Sequence, residues 1–490
     1  MNVEAMGPPR CLGGEKMQND GTKDDTDIEE EDEWQLFASA GYASSELESE
    51  EQEILQDTPE EIWFDGDDLD FEGSTVNWDS PPCPAPLGIA HIIKIGLCDH
   101  CINRVSGIRI GTHGPDNGAL IRANAYEKDN QLESSIMQDY CPLCENLFDD
   151  IENIVDRVFE TLSETKFSTM QFGIHLPKEL VQEEDRVRSK YGSQGSYPLK
   201  GALVEAIHQR ISMRNKEVEF VKERPDVMVL VDGLTLRVDV DVRPVYLYGR
   251  YRKLSREIPQ TRWPCRACRG RSEGCESCKG TGLQYPDSVQ DLIGEPIRKE
   301  LGAEDTSFHG MGREDIDVRC LGSGRPFVLE VKRPLVREYQ LDHLVRLVNE
   351  NGSGKVELDD LIWTSKKKVN EVKQSRSEKT YTIRFSVDDL GDEEEAKQAI
   401  LSLSGKVISQ ETPKRVSHRR AAKTRKRRVS SVDKVSVEGN EIEMTLRCEA
   451  GTYIKELVHS DEGRTSPSVK SVMGSECHVI WLDVEEIHTD

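Results

Sequence analysis

Apolar residues settle into regular spacing only from Ile89 onward, and the period of that spacing changes along the chain. Leu147, Phe148, Ile151, Ile154, Val155, Val158, Phe159 and Leu162 recur every three or four positions, which predicts a helix with one apolar face. Met170, Phe172, Ile174 and Leu176 then alternate with other residues, as a strand does, before Leu203, Ile207 and Ile211 return to helical spacing. Val227–Val231 and Leu234–Val242 flank Asp232-Gly233, which predicts a hairpin turning at that pair. From about Tyr246 the two-residue period dominates: Phe327, Leu329 and Val331; Tyr381, Ile383, Phe385 and Val387; then Ile442, Met444, Leu446 and Cys448 after a Gly439-Asn440 turn. Helical spacing, as in Leu341–Val348, lies between these strands. The first half reads as a small α/β module and the second as a mixed, mainly antiparallel sheet carrying helices, so the fold class is α+β.

Length and charge refine this division. A chain of 490 residues has room for two or three domains with ample core. No run of 18 apolar residues is present, and the N-terminus lacks the apolar stretch of a signal peptide; the expectation is a cytoplasmic protein with no membrane partner. The net charge of −27 is concentrated: Asp24–Glu72 holds 21 acidic residues and no Lys or Arg, leaving −6 for the rest. Residues 1–82 therefore read as a disordered, solvated acidic tail with short apolar islands at Trp34–Phe37 and Ile62–Phe64. By contrast, Pro413–Arg428 carries nine Lys or Arg and no acid, among them Arg419, Arg420, Arg427 and Arg428. Such a run is either a solvated loop or a phosphate-binding patch, and bulk acidity does not exclude a nucleic-acid partner.

Eight of the 13 cysteines form four Cys-x-x-Cys pairs. Cys98/Cys101 and Cys141/Cys144 bracket 39 residues; Cys265/Cys268 and Cys275/Cys278 bracket six, within a glycine-rich insertion at 263–282. Two such pairs supply a closed set of four thiolates suited to zinc. A closed set has no open coordination position, so its expected role is structural. His100, inside the first pair, could replace a thiolate, but a loop histidine is the plainer reading.

The residues most suggestive of chemistry lie at Phe308–Leu321, FHGMGREDIDVRCL. Asp315 and Asp317 follow a glycine-rich turn and stand between Arg313 and Arg319, where a carboxylate can be exposed and oriented by a cation. Lys379-Thr380-Tyr381 on an alternating strand follows, and then Gly451–Leu457, GTYIKEL. This order resembles the catalytic order of the tRNA pseudouridine synthases. Tyr248–Lys253 (YGRYRK), Ser255–Gln260 (SREIPQ), Pro413–Arg420 (PKRVSHRR) and Asp461–Ser468 (DEGRTSPS) resemble the archaeal-type, THUMP-containing branch that modifies uridines 54 and 55. Met311 and Cys320 depart from that pattern, where Ala and Met are expected, without removing a reacting group.

The resemblance implies an isomerase that needs no catalytic cofactor and takes tRNA as its partner; it leaves the oligomeric state open, a monomer among the options. It places Asp315 as nucleophile, Lys455 as its counter-ion, Tyr381 as the ring that stacks on the flipped-out uracil, and Tyr453, Leu457 and Arg313 around the substrate. If GTYIKEL is extended, Tyr453, Lys455 and Leu457 share one face. The implied organisation is a disordered tail at 1–82, a zinc-knuckle and THUMP-like RNA-binding module at 83–245, and a pseudouridine synthase domain at 246–490. Taken singly, Tyr381 is a core aromatic and Lys455 a solvent-facing lysine; their joint order favours the functional roles. The alternative is a non-catalytic, zinc-containing RNA-binding protein. A THUMP methyltransferase or thiouridine synthetase would need a nucleotide-binding glycine loop, and neither GxGxxG nor SGGxDS occurs.

Overall fold

Two sheets carry the helices, and the change of hydrophobic period near residue 245 marks the passage from one to the other. In the computed structural model the described residues are 78–489, save 111–113, 130–131, 133–139, 272 and 418–420. The expected acidic tail lies, up to Asn77, outside them, and so do Arg419 and Arg420 of the basic run.

The first sheet contains β1 (Thr169–His175), β2 (Glu219–Phe220), β3 (Val227–Asp232) and β4 (Val238–Val242) in the order β2-β1-β3-β4. β1 runs parallel to β2 and β3, whereas β4 is antiparallel to β3. Helices α1 (Ile89–Lys94), α2 (Asp99–Ser106), α3 (Gly114–Lys128), α4 (Ile151–Thr161), α5 (Lys178–Tyr191) and α6 (Leu199–Arg214) accompany it. Ile154, Val155 and Val158 of α4 and Leu203, Ile207 and Ile211 of α6 are fully buried in one apolar core.

Local chemistry moves several boundaries. The helix expected from Leu147 begins at Ile151, because Glu145 and Asn146 adopt positive φ beside Cys144 and turn the chain first. The hairpin is wider than a two-residue turn. Val231 faces Val238, and the Asp232 carboxylate accepts hydrogen bonds from the Leu234 and Thr235 amides at 3.2 and 2.8 Å. Leu234 and Leu236 thus belong to the turn, and Leu234 is exposed. Helix α5 is not apparent from the pattern because Glu184 occupies a core position between Leu180 and Val187; it is buried in an ion pair with Arg104.

The second sheet has ten strands: β5 (Val245–Lys253), β6 (Asp305–Gly310), β7 (Arg319–Lys332), β8 (Val356–Thr364), β9 (Lys379–Val387), β10 (Val407–Glu411), β11 (Thr424–Glu438), β12 (Glu441–Cys448), β13 (Thr465–Ser466) and β14 (Cys477–Ile487). Their order is β13-β10-β11-β12-β9-β14-β7-β5-β8, with β6 paired to β7. Every neighbouring pair is antiparallel except β14 and β7. Gly439-Asn440 makes the β11–β12 turn, with Glu438 opposite Glu441.

β7 is buried on both faces at its centre. Phe327, Leu329 and Val331 pack with helices α7 (Val289–Glu300) and α8 (Leu341–Asn351), while Val328 packs on the other side with Ile383 and Phe385 of β9 and Ile442 of β12. That second core underlies the loops described next. Arg337 joins the halves: its Nε pairs with Asp226 at 2.9 Å and its Nη1 donates to the Arg243 carbonyl at 2.6 Å. Among the described residues no helix is long and apolar enough to cross a membrane.

Candidate active site

Asp315 sits in the loop joining β6 to β7, and its carboxylate meets two cations from distant parts of the chain. Arg415 Nη1 lies 2.9 Å from Asp315 Oδ2, and Lys455 Nζ lies 3.7 Å from the same oxygen. Arg415 belongs to a 3-10 turn, Lys414–Val416, between β10 and β11. Lys455 is on helix α9 (Ile454–His459). Lys455 binds Asp317 more closely, at 2.7 and 2.8 Å to its two carboxylate oxygens. Arg415 also pairs with Glu456, at 2.6 Å, and that carboxylate is buried.

The result is an alternating row: Asp317, Lys455, Asp315, Arg415, Glu456. Two cations lie among three carboxylates, from buried Glu456 at one end to exposed Asp317 at the other. Burial works against ionising Asp317, but the Lys455 hydrogen bond and charge outweigh it and hold the carboxyl below its usual range. Burial likewise opposes the Arg415 charge, and Glu456 and Asp315 more than offset it.

The arginines that flank the acidic pair in sequence are not its partners. Arg319 pairs with buried Asp483 at 2.6 Å, and the Arg313 guanidinium lies over the Trp263 ring at 5.7 Å. The backbone separates them: Arg319 begins β7 and points along the sheet to β14, while Arg313 turns toward the cysteine insertion. Sequence reasoning does not single out Arg415 or Glu456. Arg415 falls inside PKRVSHRR, so the only cue is its place in a segment already matched to the family.

GTYIKEL is not extended. Tyr453 has φ −89° and ψ 99° at the helix cap, and α9 starts at Ile454. The Gln410 side chain holds Tyr453 there, donating to its carbonyl and accepting from its amide, both at 2.9 Å. Lys455 consequently points to the carboxylates while Leu457, two residues on, is fully buried in the core. The three residues do not share one face.

Tyr381, on β9, is 8% exposed and lies in the same apolar cluster as Met311, Val318 and Leu457. Burial pushes its phenol well up, with the nearby Arg325 charge opposing. Its neighbour Lys379 is pulled down to about 8 by burial and donates to the Ser377 carbonyl at 3.1 Å.

The basic run is not a loop throughout. From Thr424 it forms β11, pairing Arg427 with Ile408 and Arg428 with Val407. Arg427 also borders the Lys455 segment, for a Cβ built on Gly451 (φ +80°) would stand 3.5 Å from its Nε.

Both cysteine sets converge. In each, the four sulfur atoms lie within 4.8 Å of one another. Cys98 and Cys144 are 3.7 Å apart, Cys268 and Cys278 3.8 Å, and Cys265 and Cys275 4.0 Å. Tetrahedral zinc with bonds of ~2.3 Å requires sulfurs about 3.8 Å apart, so both sets fit the ion. The Cys98 amide donates to Cys141 Sγ at 3.3 Å and the Gly282 amide to Cys278 Sγ at 3.2 Å, which favours thiolate charge. His100 is no member of the first set; it stacks on Phe148 at 4.3 Å between centroids.

Comparison with known proteins gives this geometry a family. Residues 246–488 match the family model described as Pus10, C-terminal, and residues 154–232 the model for the archaeal Pus10 THUMP domain. The chain is similar to the "tRNA pseudouridine synthase Pus10" of Methanothrix thermoacetophila, at 42% identity over 69% of this chain and 74% of the relative. The protein of that name from Methanocaldococcus jannaschii is 34% identical over 81% of this chain and 92% of the relative. The corresponding Thermoplasma acidophilum protein is 36% identical over 81% and 98%. With two match regions that follow the two sheets, and two of these relatives covered nearly end to end, the chain belongs to the archaeal-type Pus10 family of tRNA pseudouridine synthases.

Proposed function

We propose that this isomerase converts uridine 54, uridine 55 or both in the T-loop of tRNA to pseudouridine, with Asp315 as the attacking carboxylate. The observation that carries the reading is the meeting of two cations, Arg415 and Lys455, at one oxygen of Asp315. The reaction breaks the N1–C1′ bond, rotates the uracil and forms a C5–C1′ bond; one proton leaves C5 and one reaches N1. Atoms and electrons balance without a redox or nucleotide cofactor. What the reaction needs is a carboxylate oriented toward the sugar, and two neighbouring cations can fix that orientation.

Asp315 suits this better than Asp317 for two reasons. Its side chain is 32% exposed against 58% for Asp317, and Lys455 engages both oxygens of Asp317. With both cations at Oδ2, the other Asp315 oxygen is left to face the ribose. Tyr381 would stack on the base displaced from the T-loop, with Tyr453 and Leu457 behind it. That role requires the base to enter against the buried Tyr381 ring.

The direct test is to map pseudouridine in an unmodified tRNA transcript incubated with the protein alone. Product at 54 or 55 without added cofactor is expected, and no product at either position would refute the assignment. Asp315→Asn should then lower turnover by roughly a thousandfold or more while tRNA binding persists. Asp317→Asn should keep most of it. The reverse pattern would make Asp317 the nucleophile.

The two thiolate sets would hold structural zinc, keeping the knuckles folded without entering the reaction. Metal analysis should find two zinc ions per chain. Replacing Cys141 and Cys144 by Ser should leave one and lower the melting temperature of the N-terminal module, because site formation and folding are coupled. An active chain purified without zinc would contradict this.

The basic run would lie along the tRNA backbone. Neutralising Arg419, Arg420, Arg427 and Arg428 should weaken tRNA binding and flatten its salt dependence, by roughly 0.7 to 0.9 in the log–log slope for each phosphate that is no longer neutralised. An unchanged slope would return the run to the status of a solvated surface.

A further inference from the structure

The family-like segment Tyr248–Gln260 contributes no side chain to the charged row described above, yet the side chains of Tyr251, Lys253, Arg256 and Gln260 all end on the loop that carries Asp315. Lys253 Nζ donates to the carbonyls of Asp315 and Ile316, at 3.2 and 2.9 Å. The Glu257 amide donates to the same Ile316 carbonyl at 2.9 Å. Arg256 Nη1 reaches the Asp317 carbonyl at 2.9 Å, and Gln260 Nε2 the Gly312 carbonyl at 3.0 Å. From β7, Arg325 Nη1 donates to the Met311 carbonyl at 2.7 Å. Five carbonyls between residues 311 and 317 are thereby held by groups outside the loop.

The side chain beside Asp315 is anchored as well. Glu314 accepts hydrogen bonds from the Tyr251 hydroxyl at 2.9 and 3.0 Å and pairs with Arg325 at 2.8 Å. Lys253, Tyr251, Arg325, Glu314 and Gln260 are all buried. Burying a lysine and an arginine costs free energy unless each is paired, so a set this dense implies a demand for fixed geometry. A surface loop needs no such support to exist. A loop that must aim a carboxylate to within about half an ångström does.

We propose that the segment Tyr251–Gln260 is a carbonyl clamp that orients the Asp315 loop for attack, with Lys253 as its central positioning residue. The proposal rests on the reading of Asp315 as nucleophile. Because Lys253 bridges two successive carbonyls, it fixes the peptide planes on the C-terminal side of Asp315 and hence the direction of its Cβ. The carboxylate is then already placed when the ribose arrives, and no loop ordering is needed in the transition state. Burial pulls the Lys253 amine down to about 8, with Glu314 and Asp317 working against the shift. Charged or neutral, the amine keeps at least two N–H donors, one for each carbonyl.

Lys253→Met keeps the stem and removes the donors; Lys253→Gln retains one donor group. Full-length protein would be assayed for kcat and KM on a tRNA transcript, with melting temperatures measured in parallel. We expect Lys253→Met to lower kcat by roughly 10- to 100-fold, the cost of a misplaced reacting group, with KM for tRNA unchanged within about twofold. Lys253→Gln should recover part of the loss. A core substitution in the other apolar cluster, Leu361→Ala, supplies the stability control. If Lys253→Met does not fold, Arg256→Met, at the partly exposed rim of the clamp, carries the same expectation with a smaller loss. Wild-type kcat, a change in KM alone, or a kcat loss no larger than that of a control equally lowered in melting temperature would overturn the clamp. Asp315→Asn run alongside separates the two claims: if it turns over, the nucleophile reading fails; if it is dead while Lys253→Met is fully active, only the clamp fails.

Discussion

The meeting of Asp315 with Arg415 and Lys455 is the constraint around which the second half of the chain is organised. The carboxylate on the β6–β7 loop is held by cations that the loop itself does not supply. The two cations lie at 2.9 and 3.7 Å, and neither comes from the neighbouring sequence. Arg319 is committed to Asp483 and Arg313 lies against Trp263. The cations must come from elsewhere, and the sheet brings them. Arg415 arrives from the turn after β10, and Lys455 from the helix after β12.

Bringing these loops together requires a rigid base. Strand β9 lies between β12 and β14, so the apolar residues of these strands form one continuous core beneath the charged row. Glu456 and Asp317 complete the row at its two ends. Each engages one cation, leaving Asp315 in the middle as the carboxylate shared by both. A network of several charges fixes its side chains better than isolated surface pairs do. The same economy is seen at the cysteine sets, where backbone amides point at sulfur and set the ligand geometry.

Much of this is legible in the sequence, and the exceptions have physical causes. The alternation in β9 and β12 and the Gly439-Asn440 turn read correctly because one face of each strand is buried and the turn residues tolerate positive φ. Both cysteine sets follow from spacing alone. Helix α5 is hidden because Glu184 holds a core position that pattern reading assigns to an apolar residue; its partner, Arg104, is 80 residues away. The extended reading of GTYIKEL misses the cap at Tyr453, which depends on Gln410, a residue from another strand. Arg415 is visible only as one of nine basic residues. Nothing local distinguishes it, for its role is set by Glu456 and Asp315, which the chain brings to it through the sheet.

The central claim is that Arg415 and Lys455 serve one carboxylate together. A double-mutant cycle in single-turnover pseudouridine formation tests it, using Arg415→Met, Lys455→Met and the pair. If either cation alone can partly sustain Asp315, each single change leaves measurable activity and the double change costs far more than the product of the two. Losses that simply multiply would mean the two cations act independently, and the shared-carboxylate account would be wrong.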